Sequence, residues 1–421
     1  AASRWLLWEL GQVMGIYPAS INGLYMARGR GETPLDFTVP AINLRAMTYD
    51  SARAVFKAAV PRKVGALIFE IARSEIGYTD QRPAEYISSV MAAAIKQGFR
   101  GPLFVQGDHF QVGLKKFKAD PDGEYNAVAG LVDEAIKAGF FNIDIDTSTL
   151  VDLSRPTVDE QQRDNYEMCA KLTALIRKLE PTGITISVGG EIGEIGNKNS
   201  DETELRAYMD GYNNSLPKGM VGLSKMSIQT GTSHGGVPLP DGSLAQVKID
   251  FNVIKELSKV SRDAYGMAGA VQHGASTLPD EAFNQFVQNE AAEVHLATGF
   301  QNIVYDHEAF PADLREQMYD HINNAHGNER KEGQTEEQFI YKTRKKGLGP
   351  FKADLWGLPD DVRTVIRQSL EAKFGFLFDQ LNVADTLKLA VQYAPHVEIH
   401  KTLGDFGGGE GPGEDTSDLA D

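Results

Sequence analysis

From about residue 37 the chain repeats one rhythm, a short apolar run followed by a longer stretch whose apolar positions recur at helical spacing. The short runs fall at residues 37–43, 64–71, 103–105, 142–146, 184–188, 225–229, 268–272 and 293–297. The helical stretches between them fall near 50–59, 83–97, 122–138, 158–179, 201–209, 251–260 and 280–289. Gly139 suits the residue that stops the third of these, and Ser200 or Asp201 suits the cap of the fifth. Eight strand-then-helix units predict parallel strands joined by crossover helices. That count fits a closed (β/α)8 TIM barrel over residues 37–310 better than an open doubly wound sheet.

The flanks break the rhythm. Residues 1–36 read as a short helix and a loop, the loop marked by the Gly-rich piece Arg28-Gly29-Arg30-Gly31-Glu32-Thr33-Pro34. Residues 311–401 read as a C-terminal helical extension, with a polar interruption at 325–346 and an amphipathic helix at 360–381, and are expected to serve subunit contacts. Residues 402–421 are glycine-rich and acidic, the composition of a flexible tail.

Composition narrows the function. The 421 residues are 42% hydrophobic, ordinary for a globular chain. No apolar run approaches the ~20 residues that span a bilayer. Glu9 and Gln12 interrupt the apolar start, so no secretory core is expected and the protein reads as cytoplasmic. A formal charge of −16 repels polyanions, which argues against nucleic acid and requires any phosphate to be held by a local cluster of donors. Cys169, the single cysteine, can form no intrachain disulfide and reads as a helix-packing residue in a reducing compartment.

Three stretches carry candidate chemistry. Gly107-Asp108-His109, Gly231-Thr232-Ser233-His234-Gly235-Gly236 and Gln272-His273-Gly274-Ala275-Ser276 each end an apolar run and place a histidine among small residues that give its ring little to pack against. Their wide spacing forms no local zinc motif and by itself favours packing roles. In a barrel, however, they fall at the C-terminal ends of strands three, six and seven, the rim where such folds build active sites. Three imidazoles there would form a zinc site with one open position, able to polarise a carbonyl. Asp108 is then a support for the metal or a general acid/base. Glu191 follows Gly189-Gly190 in a stretch that matches a dinucleotide fingerprint poorly, and is expected as a carboxylate at the fifth rim position. Gly235, Gly236, Gly274, Ser276 and Thr298 sit where backbone N–H groups and a helix start can cradle a phosphate.

On these residues the sequence resembles the class II, metal-dependent ketose-bisphosphate aldolases, the family of the fructose-1,6-bisphosphate and tagatose-1,6-bisphosphate enzymes. The likeness covers about residues 37–310 and rests on Val39-Pro40-Ala41-Ile42-Asn43, Gly107-Asp108-His109, Ile145-Asp146-Thr147-Ser148, Glu191-Ile192-Gly193, Gly231 to Gly235 and His273-Gly274-Ala275-Ser276. The resemblance implies zinc, or another divalent ion such as cobalt, on His109, His234 and His273, with a monovalent cation as a further expectation. It implies proton transfer by Asp108, a metal-site role for Glu191, and substrate or phosphate contacts at Asn43, Gly235, Gly274, Ser276, His295 and Thr298. The implied reaction is reversible aldol cleavage of a phosphorylated ketose, foremost fructose 1,6-bisphosphate, to dihydroxyacetone phosphate and glyceraldehyde 3-phosphate, by a homodimer or larger homo-oligomer. Two departures stand out. Gln106 replaces a usual histidine, and His295-Leu296-Ala297-Thr298 replaces the usual Asn-Ile-Asp-Thr, whose asparagine holds substrate. Gly77-Tyr78-Thr79 and Pro83-Ala84-Glu85-Tyr86 also resemble the non-catalytic accessory subunits of tagatose-bisphosphate aldolase, the alternative reading.

Overall fold

A computed structural model describes residues 1–193, 198–231, 249–276, 278–406 and 419. Its strands are β1 (Ile16–Ala19), β2 (Val39–Asn43), β3 (Ile68–Ala72), β4 (Gly101–Gln111), β5 (Asn142–Asp146), β6 (Ser187–Glu191), β7 (Lys225–Ile228), β8 (Ala270–Gln272) and β9 (Glu293–Leu296). Each of β2 to β9 pairs in parallel with the next, and β9 returns to β2, so eight strands close a barrel. This is the (β/α)8 architecture the sequence pattern predicts.

The helices form where local signals start and stop them. Helix Pro121–Ala138 opens with Asp120 accepting from the Gly123 N–H and a proline in its first turn, and ends at Gly139, whose φ of 112° a side chain would resist. Thr157 and Glu160 cap each other at the head of helix Val158–Leu179. The expected fifth helix runs further than its apolar pattern suggested, over Glu202–Ser215, from an Asp201–Glu204 capping box.

Strand β1 is a finding that the pattern did not separate from the residues 1–36 loop. Four residues long and fully buried, it pairs with the first residues of β4, from Ile16 opposite Gly101 to Ala19 opposite Phe104. The helix after it, Asn22–Gly29, carries Tyr25 to Glu293 at the start of β9 and Arg28 to the carbonyls of Phe37 and Ala291, at 2.9 and 3.2 Å. These contacts cover the N-terminal end of the barrel, opposite the catalytic rim expected of this fold.

Beyond β9 the described chain is helical. Helix Asp360–Gln380 lies against helix Thr48–Ala59, tied by Lys57–Glu371 at 2.8 Å and Arg367–Asp50 at 2.5 Å, and Phe374 packs on Phe300 with ring centroids 4.7 Å apart. Among the described residues no helix is long and apolar enough to cross a membrane.

Candidate active site

Strand β4 builds the centre of the site through an irregularity. Its pairing with β5 shifts register between Gly107 and Phe110, and His109 takes a φ of 38°. A left-handed residue that is not glycine costs about 1–3 kcal/mol, and such strain gathers at functional sites. In regular pleat, Asp108 and His109 would point to opposite faces. The bulge instead turns both inward: both are buried, and Asp108 Oδ1 lies 3.8 Å from His109 Nε2. Gly107 is required for this turn, because a Cβ there would stand 2.4 Å from the Phe110 ring.

Around His109 the neighbouring strands place partners. Its Nδ1 is 3.3 Å from Asp146 at the end of β5 and 3.4 Å from Glu191 at the end of β6. His273, the residue after β8, brings its ring centroid to 4.2 Å from that of His109 and its Nε2 to 2.9 Å from Ser227 Oγ. His109, Glu191 and His273 each offer a ligand atom, all within 4.8 Å of one another and all buried. Burial opposes charge on His109, yet Asp108, Asp146 and Glu191 together draw its basicity well above the ordinary imidazole range. Burial, with Asp146 second, lifts the Glu191 carboxyl to about 7. Two imidazoles and a carboxylate, ringed by further carboxylates, are a donor set that suits a divalent cation.

The structure thus brings together His109, His273, Asp108 and Glu191 from three strands, β4, β6 and β8. His234 and Gly235 lie outside the described residues. Gly274 follows His273 with a φ of 69° that favours glycine. Ser276 Oγ accepts from the Ala297 N–H at 2.6 Å, and its carbonyl approaches Gly299 so closely that a Cβ there would lie 2.7 Å away. These contacts pin the turn after β8 to the start of helix Thr298–Tyr305, where Thr298 Oγ1 accepts from Arg45 at 3.3 Å. Asn43, last in β2, donates to Glu75, while its Oδ1 has no hydrogen-bond partner among the described residues.

A second set fills the barrel beneath; sequence reasoning singled out its His295 and Gln106 but not Lys225, Glu293, Asp144 and Glu70. Lys225 Nζ lies 2.5 Å from Glu293, 2.8 Å from Gln106 and 2.9 Å from Asp144. His295 turns both ring nitrogens to carboxylates: Nδ1 is 3.0 Å from Glu70 and 3.1 Å from Asp108, and Nε2 is 2.6 Å from Glu293. Burial and the Asp108 charge push Glu70 up, whereas Lys225 and His295 outweigh burial and hold Glu293 down. Gln106 donates to Glu70 at 3.1 Å and to Glu293 at 3.0 Å, and so serves this set.

A model of the class II fructose-bisphosphate aldolases matches residues 35–346. The chain belongs to that family. The aldolase fold recurs in solved structures of low identity. One is a fructose-bisphosphate aldolase of Campylobacter jejuni, at 17% identity and a TM-score of 0.51, with 88% of this chain and 96% of that one covered. Another is a Sinorhizobium meliloti protein named a probable tagatose 6 phosphate kinase, at 16% identity and a TM-score of 0.57, with 84% and 98% covered. A sequence comparison with curated proteins finds no match. As a class II aldolase the chain is a lyase, and its family is metal-dependent. The buried partners of this site, Asp146, Glu70, Asp144, Lys225 and Glu293, did leave a signal in the sequence: ionisable residues inside otherwise apolar strands, at alternate positions in β5 and β9 and singly in β3 and β7.

Proposed function

We propose that this aldolase uses a divalent metal, foremost zinc, on His109, His273 and His234 to cleave a ketose bisphosphate reversibly, with fructose 1,6-bisphosphate as the first substrate to test. The observation that carries the reading is the meeting of His109, His273, Glu191 and Asp108 in one buried cluster at the ends of three strands. When bound, the metal supplies a Lewis acid for the substrate carbonyl.

The chain's own residues do the rest. Asp108, beside His109 and held by His295 at 3.1 Å, moves the proton of the hydroxyl at the bond that breaks. Glu191 and Asp146 orient the His109 ring. Gly274, Ser276 and the first turn of helix Thr298–Tyr305 offer N–H groups to one phosphate, and Asn43 Oδ1 is an open acceptor for a sugar hydroxyl. His295 takes the position of the asparagine that holds substrate in relatives, so His295→Asn should shift preference among ketose phosphates.

The test is a coupled assay for dihydroxyacetone phosphate across ketose mono- and bisphosphates. Cleavage should vanish on exhaustive chelation and return with zinc or cobalt. Activity that survives chelation, or substrate trapped on the protein by borohydride, would replace this mechanism with Schiff-base chemistry on a lysine.

A further inference from the structure

Strand β4 has to keep its shape past the bulge. Pairing with β5 resumes at Phe110 opposite Ile145 and Gln111 opposite Asp146, so the left-handed His109 stands just ahead of a re-paired stretch. A strained residue persists only where its surroundings over-determine it. The groups that do so here come from two other elements.

Arg73 opens the helix Arg73–Tyr78 that follows β3, and its Nη1 donates to the Gln111 carbonyl at 2.5 Å and to Glu124 Oε1 at 2.6 Å. Glu124, in the first turn of helix Pro121–Ala138, also accepts from the Gly113 N–H at 2.7 Å. Both side chains are fully buried. Residues 111–113 are thus held at both ends, by a cation on one carbonyl and a carboxylate on one N–H. From there the contacts run inward. Gln111 Nε2 donates to Asp146 Oδ2 at 2.5 Å, the oxygen that stands 3.3 Å from His109 Nδ1. The other carboxylate oxygen of Asp146 accepts from the N–H and the hydroxyl of Ser148, at 3.0 and 2.7 Å, and the Asp146 carbonyl accepts from the Val112 N–H at 2.8 Å.

A buried ion pair is a weak device for stability, since well-packed apolar residues of the same volume often serve as well or better. Apolar side chains could not hold the Gln111 carbonyl and the Gly113 N–H. The role of the pair is therefore one of geometry.

We propose that Arg73 and Glu124 are positioning residues of the metal centre: they clamp residues 111–113 and, through Gln111 and Asp146, fix the His109 ring and the bulge that turns Asp108 in beside it. The inference rests on the reading of His109 as a metal ligand and deepens it, by naming what sets that ligand's orientation. Groups that orient a ligand from behind typically govern metal affinity as well as rate.

Cobalt(II) is the probe, because its visible absorption reports both binding and ligand geometry. The full chain, stripped of metal, is titrated with cobalt(II) as wild type, as Arg73→Met with Glu124→Leu, and as Arg73→Lys. The double variant removes both charges, so neither is stranded, and its urea midpoint should stay close to that of wild type. Its cobalt affinity should nevertheless fall about ten- to a hundredfold, with a shifted visible band. Arg73→Lys keeps the charge without the fork that spans a carbonyl and a carboxylate, and should lose part of the affinity. Hydrogen exchange at the Val112 amide, whose acceptor is Asp146, should quicken in both variants. Wild-type affinity in either variant, or losses of affinity that follow the losses in urea midpoint, would overturn the assignment. If wild type itself binds no cobalt, Val112 decides: quicker exchange in the variants keeps the clamp and removes the metal reading alone, and unchanged exchange removes the clamp too.

Discussion

The two faces of the same strands obey opposite rules. Outward from β5, β7 and β9 stand Ile143, Ile145, Met226, Ile228, Val294 and Leu296, all buried in one apolar layer under the helices. Inward from the same strands stand Asn142, Asp144, Asp146, Lys225, Ser227, Glu293 and His295, just as buried and almost wholly polar. TIM barrels commonly fill this interior with branched aliphatic side chains. Here the outer layer holds the fold, while the inner one is a hydrogen-bonded and ion-paired set that runs up to Asp108 and His109. Burial alone therefore says little about the role of a residue in this molecule; the face it occupies says more.

The sharpest break of the comparison is on the inner face at its top. Asp108→Ala should lower the cleavage rate by ~10²–10⁴-fold, the usual worth of a proton-transfer group, while zinc content by metal analysis stays at the wild-type level. A variant that loses zinc together with rate would make Asp108 a support of the metal instead. On the outer face Phe69, fully buried against Phe56 with centroids 5.0 Å apart, should behave in the reverse way. Phe69→Ala should cost about 3–5 kcal/mol in denaturant unfolding through the cavity it leaves, with little change in rate for the molecules still folded.

Lower on the inner face the two rules meet. Lys225→Met leaves Glu293 and Asp144 without their ammonium partner, and removing one side of a buried pair costs about 3–5 kcal/mol. The double variant Lys225→Met with Glu293→Gln should recover part of that loss, because the stranded charge goes with its partner. Unfolding curves in urea decide it: a double variant whose loss equals the sum of the two single losses would mean that the set does not act as a unit.

The same contrast explains what could be read in advance. Outward apolar positions gave every barrel strand a visible run, so the eight-unit rhythm led to the closed barrel. Strand β1 escaped because Ile16-Tyr17-Pro18-Ala19 is short and carries a proline, and what makes it a strand is its pairing with distant Gly101–Phe104. Asp108 and His109 were legible as a pair by their glycine and their place at a run's end. The bulge that turns both inward was not, since it depends on register against β5. Arg73, Gln111 and Glu124 share no motif. Their meeting exists only once helix Pro121–Ala138 has packed beside β4.

The smallest effect lies outside both faces, at Lys345 in the segment Arg344–Gly347 beyond β9, and it depends on pH. Burial first and the Arg45 charge second push the Lys345 ammonium down to about 7, so near neutrality it is only partly protonated. In the unfolded chain a lysine keeps its proton to about pH 10. Between those two values the unfolded chain binds the extra proton, so the contribution of Lys345 to stability rises with pH, by at most about 1.4 kcal/mol per pH unit, and levels off above pH ~10. Lys345→Met binds no proton in either state. The wild-type unfolding free energy in urea should therefore climb more steeply above pH ~7 than that of Lys345→Met, and the difference between the two profiles isolates this one residue. Parallel profiles in wild type and Lys345→Met would show that another group governs the dependence and that Lys345 does not lose its proton in this range.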